Sequence, residues 1–110
     1  MKGINLGEFE EIVMLAVAIL NEDAYGYAIN KEILSQTGRK VSLGALHAAL
    51  HRLESKGYLR SHLAGATTKR GGKRRRFFCL TNYGKKVLEE KRNIRENMWL
   101  SIPEVVFNAK

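Results

Sequence analysis

The stretch Lys69-Arg70-Gly71-Gly72-Lys73-Arg74-Arg75-Arg76 sets the strongest limit on what this chain can fold into. Six of its eight residues are cations and the other two are glycines. Gly57-Tyr58-Leu59-Arg60-Ser61-His62-Leu63 precedes it and Phe77-Phe78-Cys79-Leu80-Thr81 follows it. Both flanks are short, partly aromatic runs that read as strands, and two such runs joined by a glycine-containing loop predict a hairpin. A hairpin with a cationic tip is a surface for a polyanion. The surrounding charge agrees. Between Ser55 and Leu88 there are ten bases and no acid, whereas residues 1 to 30 hold five acids and one basic side chain, Lys2. The net charge of +8 is therefore gathered on one face. A solvated loop is the plainer reading of a charge run, but ten bases without one acid favour a polyanionic partner.

The chain has 110 residues, 45% of them hydrophobic, enough for one domain with a small core. A core of that size is marginal alone and often leans on a partner chain. The single cysteine, Cys79, excludes an intramolecular disulfide and fits a reducing compartment. Ile12 to Leu20 is apolar but short, and acids precede it. No run approaches the roughly 20 residues that span a bilayer. The expectation is a cytoplasmic protein with no membrane partner.

Helical spacing of Phe9, Ile12, Val13, Ala16, Ile19 and Leu20 predicts a first helix from Gly7 to Leu20, with its acids in the first turn where the helix dipole favours them. Its apolar content predicts a central helix buried on most sides. A second helix is predicted from Tyr25 to Gly38, with Gly38 as its stop. After the link Arg39-Lys40-Val41, Ser42 caps a third helix that runs to about Lys56 and stops at Gly57. Leu43, Leu46, Ala49, Leu50 and Leu53 share its apolar face. Gly44, Ala48, His51 and Ser55 share the opposite face, with Ala45, His47 and Arg52 at the margins. That outward face is small, polar and acid-free in its N-terminal half, so another surface can come close. Two helices joined by a short link make a helix-turn-helix, and the basic hairpin after them makes the winged version.

Thr81 caps a fourth helix of 18 to 20 residues from Asn82 onward, whose stripe of Tyr83, Val87, Leu88, Ile94, Met98 and Ile102 outruns the preceding domain. A stripe that leaves the globule usually meets another chain. Ser101-Ile102-Pro103-Glu104 reads as a capping box with proline in the first turn, opening a last short helix through Val105, Val106 and Phe107.

In this order and spacing the chain resembles the PadR-type transcriptional regulators. The residues that carry the likeness are Leu6-Gly7-Glu8-Phe9-Glu10, Ala24-Tyr25-Gly26-Tyr27-Ala28-Ile29, Val41-Ser42-Leu43-Gly44-Ala45-Leu46, and Leu50-His51-Arg52-Leu53-Glu54-Ser55-Lys56-Gly57-Tyr58-Leu59. Arg70-Gly71-Gly72-Lys73 and Phe77-Phe78-Cys79-Leu80-Thr81 continue it, so it covers about residues 6 to 88. The resemblance implies a homodimeric bacterial repressor on a palindromic operator, dimerised through helices outside the DNA-binding core and released by a small ligand or stress signal. His47 stands where the family pattern usually has tyrosine. The short segment after the wing resembles the family's small subgroup.

The expected architecture is mostly α with a small β-hairpin: a winged helix-turn-helix over residues 1–80, then a dimerisation helix and tail over 81–110. For duplex DNA, the third helix would enter the major groove and present Ser42, Gly44, Ala45, His47, Ala48, His51 and Arg52. Arg52 could grip guanine in bidentate fashion or pair with Glu54 or Glu32. Lys69, Arg70, Lys73 and Arg74 would hold phosphates. Arg75 and Arg76 would point to opposite faces of their strand, one of them structural. Four phosphates neutralised per half-dimer predict a salt slope on the order of −7. Val87, Ile94, Met98, Trp99 and Ile102 would form the dimer interface. Trp99 with Met98 would either pack there or line a pocket for a small aromatic effector.

His47 and His51 have metal-ligand spacing, but no carboxylate helps them, so no metal or cofactor is expected. Cys79 alternates with Phe78 and Leu80 as a small strand residue rather than a redox sensor. No nucleophile has a base beside it, and no carboxylate pair suggests an enzyme. The reading to be separated from a repressor is a winged-helix module that binds RNA or protein without operator specificity.

Overall fold

The computed structural model describes residues 6–64 and 74–108. In chain order the elements are α1 (Glu8–Leu20), a 3-10 turn (Asn21–Asp23), α2 (Gly26–Thr37), α3 (Leu43–Ser55), β1 (Leu59–Ala64), β2 (Arg75–Leu80), α4 (Asn82–Leu100) and α5 (Val105–Asn108). This is the helix-turn-helix and hairpin read from the sequence. The helix ends follow local chemistry. Ser42 Oγ accepts the Ala45 N–H at 3.1 Å and Thr81 Oγ1 accepts the Gly84 N–H at 2.9 Å, each satisfying an orphan amide of a first turn. Gly57, at φ +82°, turns the chain out of α3 into β1.

The two strands pair antiparallel, with Leu59 opposite Leu80 and Ala64 opposite Arg75. A third segment joins them. Tyr25 bridges Phe77, and the Phe78 N–H donates to Ala24 O at 2.9 Å. The hairpin is thereby fastened to the residues that open α2, and the wing is fixed in direction relative to the helix-turn-helix. Val13, Met14 and Val17 of α1 meet Ile29 and Ile33 of α2 and Leu46, Leu50 and Leu53 of α3 in one core, closed by Tyr58, Leu59, Phe78 and Val87. Each such side chain contributes about 1.5–3 kcal/mol relative to an exposed one.

The first two turns of α4 belong to this core. Gly84 packs so tightly on the Tyr58 backbone that a Cβ there would overlap the Tyr58 carbonyl oxygen and lie 2.9 Å from its carbon. Beyond Lys91 the helix is exposed, and the molecule measures 60 × 32 × 21 Å. Its radius of gyration, 16.8 Å, exceeds the about 13 Å of a compact chain of this length.

Three expectations need correction. Val87 is 0% exposed within its own chain, so it has no surface to offer a partner. Periodicity places it on the α4 stripe correctly, but the first turns of that stripe are covered by the domain itself. Leu43 is 51% exposed, because the first turn of α3 overhangs the end of the core. Finally, α1 is not buried on most sides: Leu15 and Ile19 are exposed. The other helices and the hairpin cover one side of α1, and α4 leaves before it can cover these two.

Candidate nucleic-acid interface

On α3 Gly44, Ala45, His47, Ala48 and His51 are all exposed, beside the capping Ser42. A Cβ at Gly44 would meet nothing within 4 Å. The hydroxyl oxygen of Ser42 is taken by the cap, and its O–H remains able to donate outward. His47 lies over the start of α2, with its Cε1 3.3 Å from where a Gly26 Cβ would stand. Asn30 Nδ2 donates to Val41 O at 3.0 Å, which holds the turn between the two helices. Neither this bond nor the anchoring role of Tyr25 is visible in the sequence, since both act through partners remote in the chain.

Arg52 is placed differently from its neighbours. Its Nε donates to Glu10 Oε2 at 2.8 Å, while Lys56 Nζ donates to Glu10 Oε1, also at 2.8 Å. The partner is thus neither Glu54 nor Glu32. With Nε committed to α1, only the terminal nitrogens of Arg52 remain for a ligand. Glu10 is 7% exposed and also accepts the Gly7 N–H at 3.3 Å. Burial pulls its carboxyl upward. The hydrogen bonds from Lys56, Arg52 and Gly7, with the Lys56 charge, outweigh that and lower it from the ordinary 4.5 to about 2. Sequence reasoning marks Glu10 only as a helix-dipole acid. The overlooked signal is its position on the same apolar stripe as Val13, Met14 and Val17, at i, i+3, i+4 and i+7.

On the wing the register sends Arg75 and Arg76 to opposite faces, and both are engaged. The Arg75 guanidinium lies 4.1 Å from the Tyr25 ring centre, and Tyr25 meets Phe77 edge-on at 5.7 Å. Arg76 Nη1 donates to Ser61 Oγ at 2.9 Å, and Ser61 donates to Glu54 Oε2 at 2.8 Å, which ties the wing to the end of α3. Arg74 is exposed; Lys69, Arg70 and Lys73 lie outside the described residues. Cys79 is half-buried, with its Sγ 3.3 Å from Arg60 Nε. His47 and His51 have no third ligand: among the described residues no group of three or more His, Cys, Asp or Glu could hold a metal ion.

Away from this face, Ile94, Met98 and Trp99 are exposed and Ile102 is half-buried. Trp99, 63% exposed, meets the Phe107 ring of α5 at 5.4 Å. It also lines a cleft of 1020 Å³ between α1 and α4, floored by Leu15, Leu80 and Leu88. Arg95 crosses the rim of this cleft to Glu11 at 3.1 Å. Met98 does not line it. Among the described residues no helix is long and apolar enough to cross a membrane.

Comparison with known proteins agrees with this geometry. The chain is 33% identical to a PadR family transcription regulator from Clostridium difficile, with a TM-score of 0.61 over 84% of this chain and 99% of that one. It is 31% identical to a PadR family regulator from Eggerthella lenta, at a TM-score of 0.63 over 83% and 79% of the two chains. A transcriptional regulator from Clostridium thermocellum aligns at 28% identity and a TM-score of 0.65 over 81% and 83%. In sequence alone, an uncharacterized protein of Lysinibacillus sphaericus is 29% identical over 91% of this chain and 85% of its own length. The profile of the transcriptional regulator PadR-like family matches residues 14–90, which take in every element from the middle of α1 to the first half of α4, and the chain belongs to that family.

Proposed function

We propose that this chain is a homodimeric, cytoplasmic repressor that binds a palindromic operator in duplex DNA. The observation that carries the reading is the face of α3: exposed from Ser42 to His51, free of acid, small enough for close approach, and set beside a basic wing. Ser42, Gly44, Ala45, His47, Ala48 and His51 meet the major groove in this reading. The terminal nitrogens of Arg52, steadied by Glu10, serve a phosphate better than a base edge. Arg74, with Lys69, Arg70 and Lys73, supplies wing contacts to the backbone.

Residues 81–110 bring two copies together through Ile94, Met98, Trp99 and Ile102, and the spacing of the two reading heads follows from α4. Trp99 and Met98, paired across the dimer, line a site for a small aromatic effector, supported by the exposure of both side chains. The central test is selection of bound sequences from random duplex DNA by the purified protein, with its mass measured in solution. A palindromic consensus bound by a dimer supports the reading. No enrichment, or a monomer that prefers RNA, refutes it. Quenching of Trp99 fluorescence by planar aromatic compounds tests the effector site, and binders that leave the emission unchanged remove it.

A further inference from the structure

We propose that Glu54 and Ser61 are positioning residues for DNA recognition: through Arg76 they fix the angle of the wing to α3, and so set how strongly the chain prefers its operator to other duplexes. The inference rests on the operator-binding reading above and gives a role to residues that this reading leaves without one. Arg76 Nη1 donates to Ser61 Oγ at 2.9 Å, and the Ser61 hydroxyl donates to Glu54 Oε2 at 2.8 Å. The three residues come from three elements: β2, β1 and the last turn of α3. The sense of the relay is forced. A guanidinium only donates, an ionised carboxylate only accepts, and a hydroxyl has one proton to give. Ser61 can therefore join the two ends in one direction only, and bonds in such a series polarise one another.

The relay is one of two clamps on opposite faces of the hairpin. Alternation along the paired strands puts Ser61 and Arg76 on one face and His62, Arg75 and Phe77 on the other. On that second face Arg75 covers Tyr25 at 4.1 Å and His62 stacks on Phe77 at 5.9 Å, which holds the wing to the start of α2. A clamp on one face leaves a two-stranded hairpin free to tilt away from it. The clamp to the end of α3, on the other face, opposes that tilt. Arg74, exposed and two residues from Arg76, is carried by the same strand. In the operator-binding reading α3 and the wing engage one duplex as two linked modules. Linked modules gain affinity only where their geometry lets both engage at once. On the operator that gain depends on the angle of the wing, because α3 is held in register by the bases it reads. On an unrelated duplex no such register exists, and charge alone decides. Glu54 and Ser61 act in this way without touching DNA.

The test measures Kd on the selected operator and on an unrelated duplex, and takes their ratio, for wild type, Ser61→Ala, Ser61→Thr, Glu54→Ala and the Ser61→Ala/Glu54→Ala double variant. Thermal melts confirm folding, which both single alanine variants should keep, since Ser61 is half-buried and Glu54 exposed. Ser61→Ala leaves the net charge unchanged. It should weaken operator binding by about 2- to 10-fold, the range of one net hydrogen bond. Binding to the unrelated duplex, and its salt slope, should stay as in wild type. Ser61→Thr keeps the hydroxyl on a residue suited to a strand and should restore the ratio. Glu54→Ala removes a negative charge, which acts on both duplexes, so the ratio is its readout and should fall as in Ser61→Ala. The double variant should fall no further than either single one, because the groups act as a unit. A wild-type ratio in Ser61→Ala and Glu54→Ala overturns this inference and leaves operator binding standing. So does an equal loss on both duplexes, the mark of a lost phosphate contact. A wild-type protein that prefers no duplex overturns the operator reading itself.

Discussion

Replacing Glu10 with glutamine tests the junction between α1 and α3. The substitution keeps volume and shape, so it leaves no cavity. It removes a charge that is 7% exposed and holds Arg52 and Lys56 at 2.8 Å each. An amide in its place also turns an N–H toward one of two donors. The carboxyl is lowered from 4.5 to about 2. Holding the carboxyl that far below its ordinary value corresponds to about 3 kcal/mol favouring the ionised form at neutral pH. The Arg52 side chain is 51% exposed, and solvent screening there reduces the expected loss to about 2–3 kcal/mol. At about 4–8 °C per kcal/mol for a domain near this size, the melting temperature should fall by about 10 °C or more at pH 7.

The pH dependence has a definite sign. A carboxyl held below its unfolded value stabilises the fold above pH 4.5 and loses that stabilisation as pH falls toward 2. The gap between wild type and Glu10→Gln should therefore be flat from pH 6 to 8 and shrink to less than about half by pH 3. Denaturation followed by circular dichroism measures both, at fixed protein concentration because any self-association would make the melt depend on it. A gap below about 0.5 kcal/mol at pH 7 would place this pair among ordinary surface pairs and refute the buried-clamp argument. An undiminished gap at pH 3 would refute the assignment of the effect to ionisation.

Other expectations follow from single contacts. Gly84→Ala should lower the melting temperature even though alanine is the better helix former by about 1 kcal/mol. The added Cβ meets Tyr58 backbone, which cannot rotate away, and overpacking costs about 1–3 kcal/mol or more; a stabilised variant would contradict the close approach. Ser42→Ala removes the cap on Ala45 N and should cost about 1 kcal/mol in urea denaturation, with a smaller loss arguing that water replaces the hydroxyl. Met98→Asp, on an exposed stretch of α4, should give a monomer by light scattering with the helical circular dichroism signal intact; a persisting dimer would move the interface elsewhere.

The local parts of this molecule were legible in the order of its residues. Ser42, Gly57 and Thr81 mark helix boundaries through bonds that reach three or four residues. The hairpin, the opposite facing of Arg75 and Arg76, and the length of α4 follow from periods of two and of 3.6. The open face of α3 from Ser42 to His51 was visible for the same reason. What the tertiary structure decided is which of these faces is covered and by what. Arg52 finds Glu10 forty-two residues away, Val87 turns inward while Ile94 does not, and Arg75 is spent on Tyr25. No period along the chain carries such information. Burial and ion-pair partners depend on distances through space between segments far apart in sequence. The cationic stretch at Lys69–Arg76 announces a polyanion by its charge alone. That Arg75 and Arg76 are engaged was settled by the tyrosine and the serine that folding places beside them.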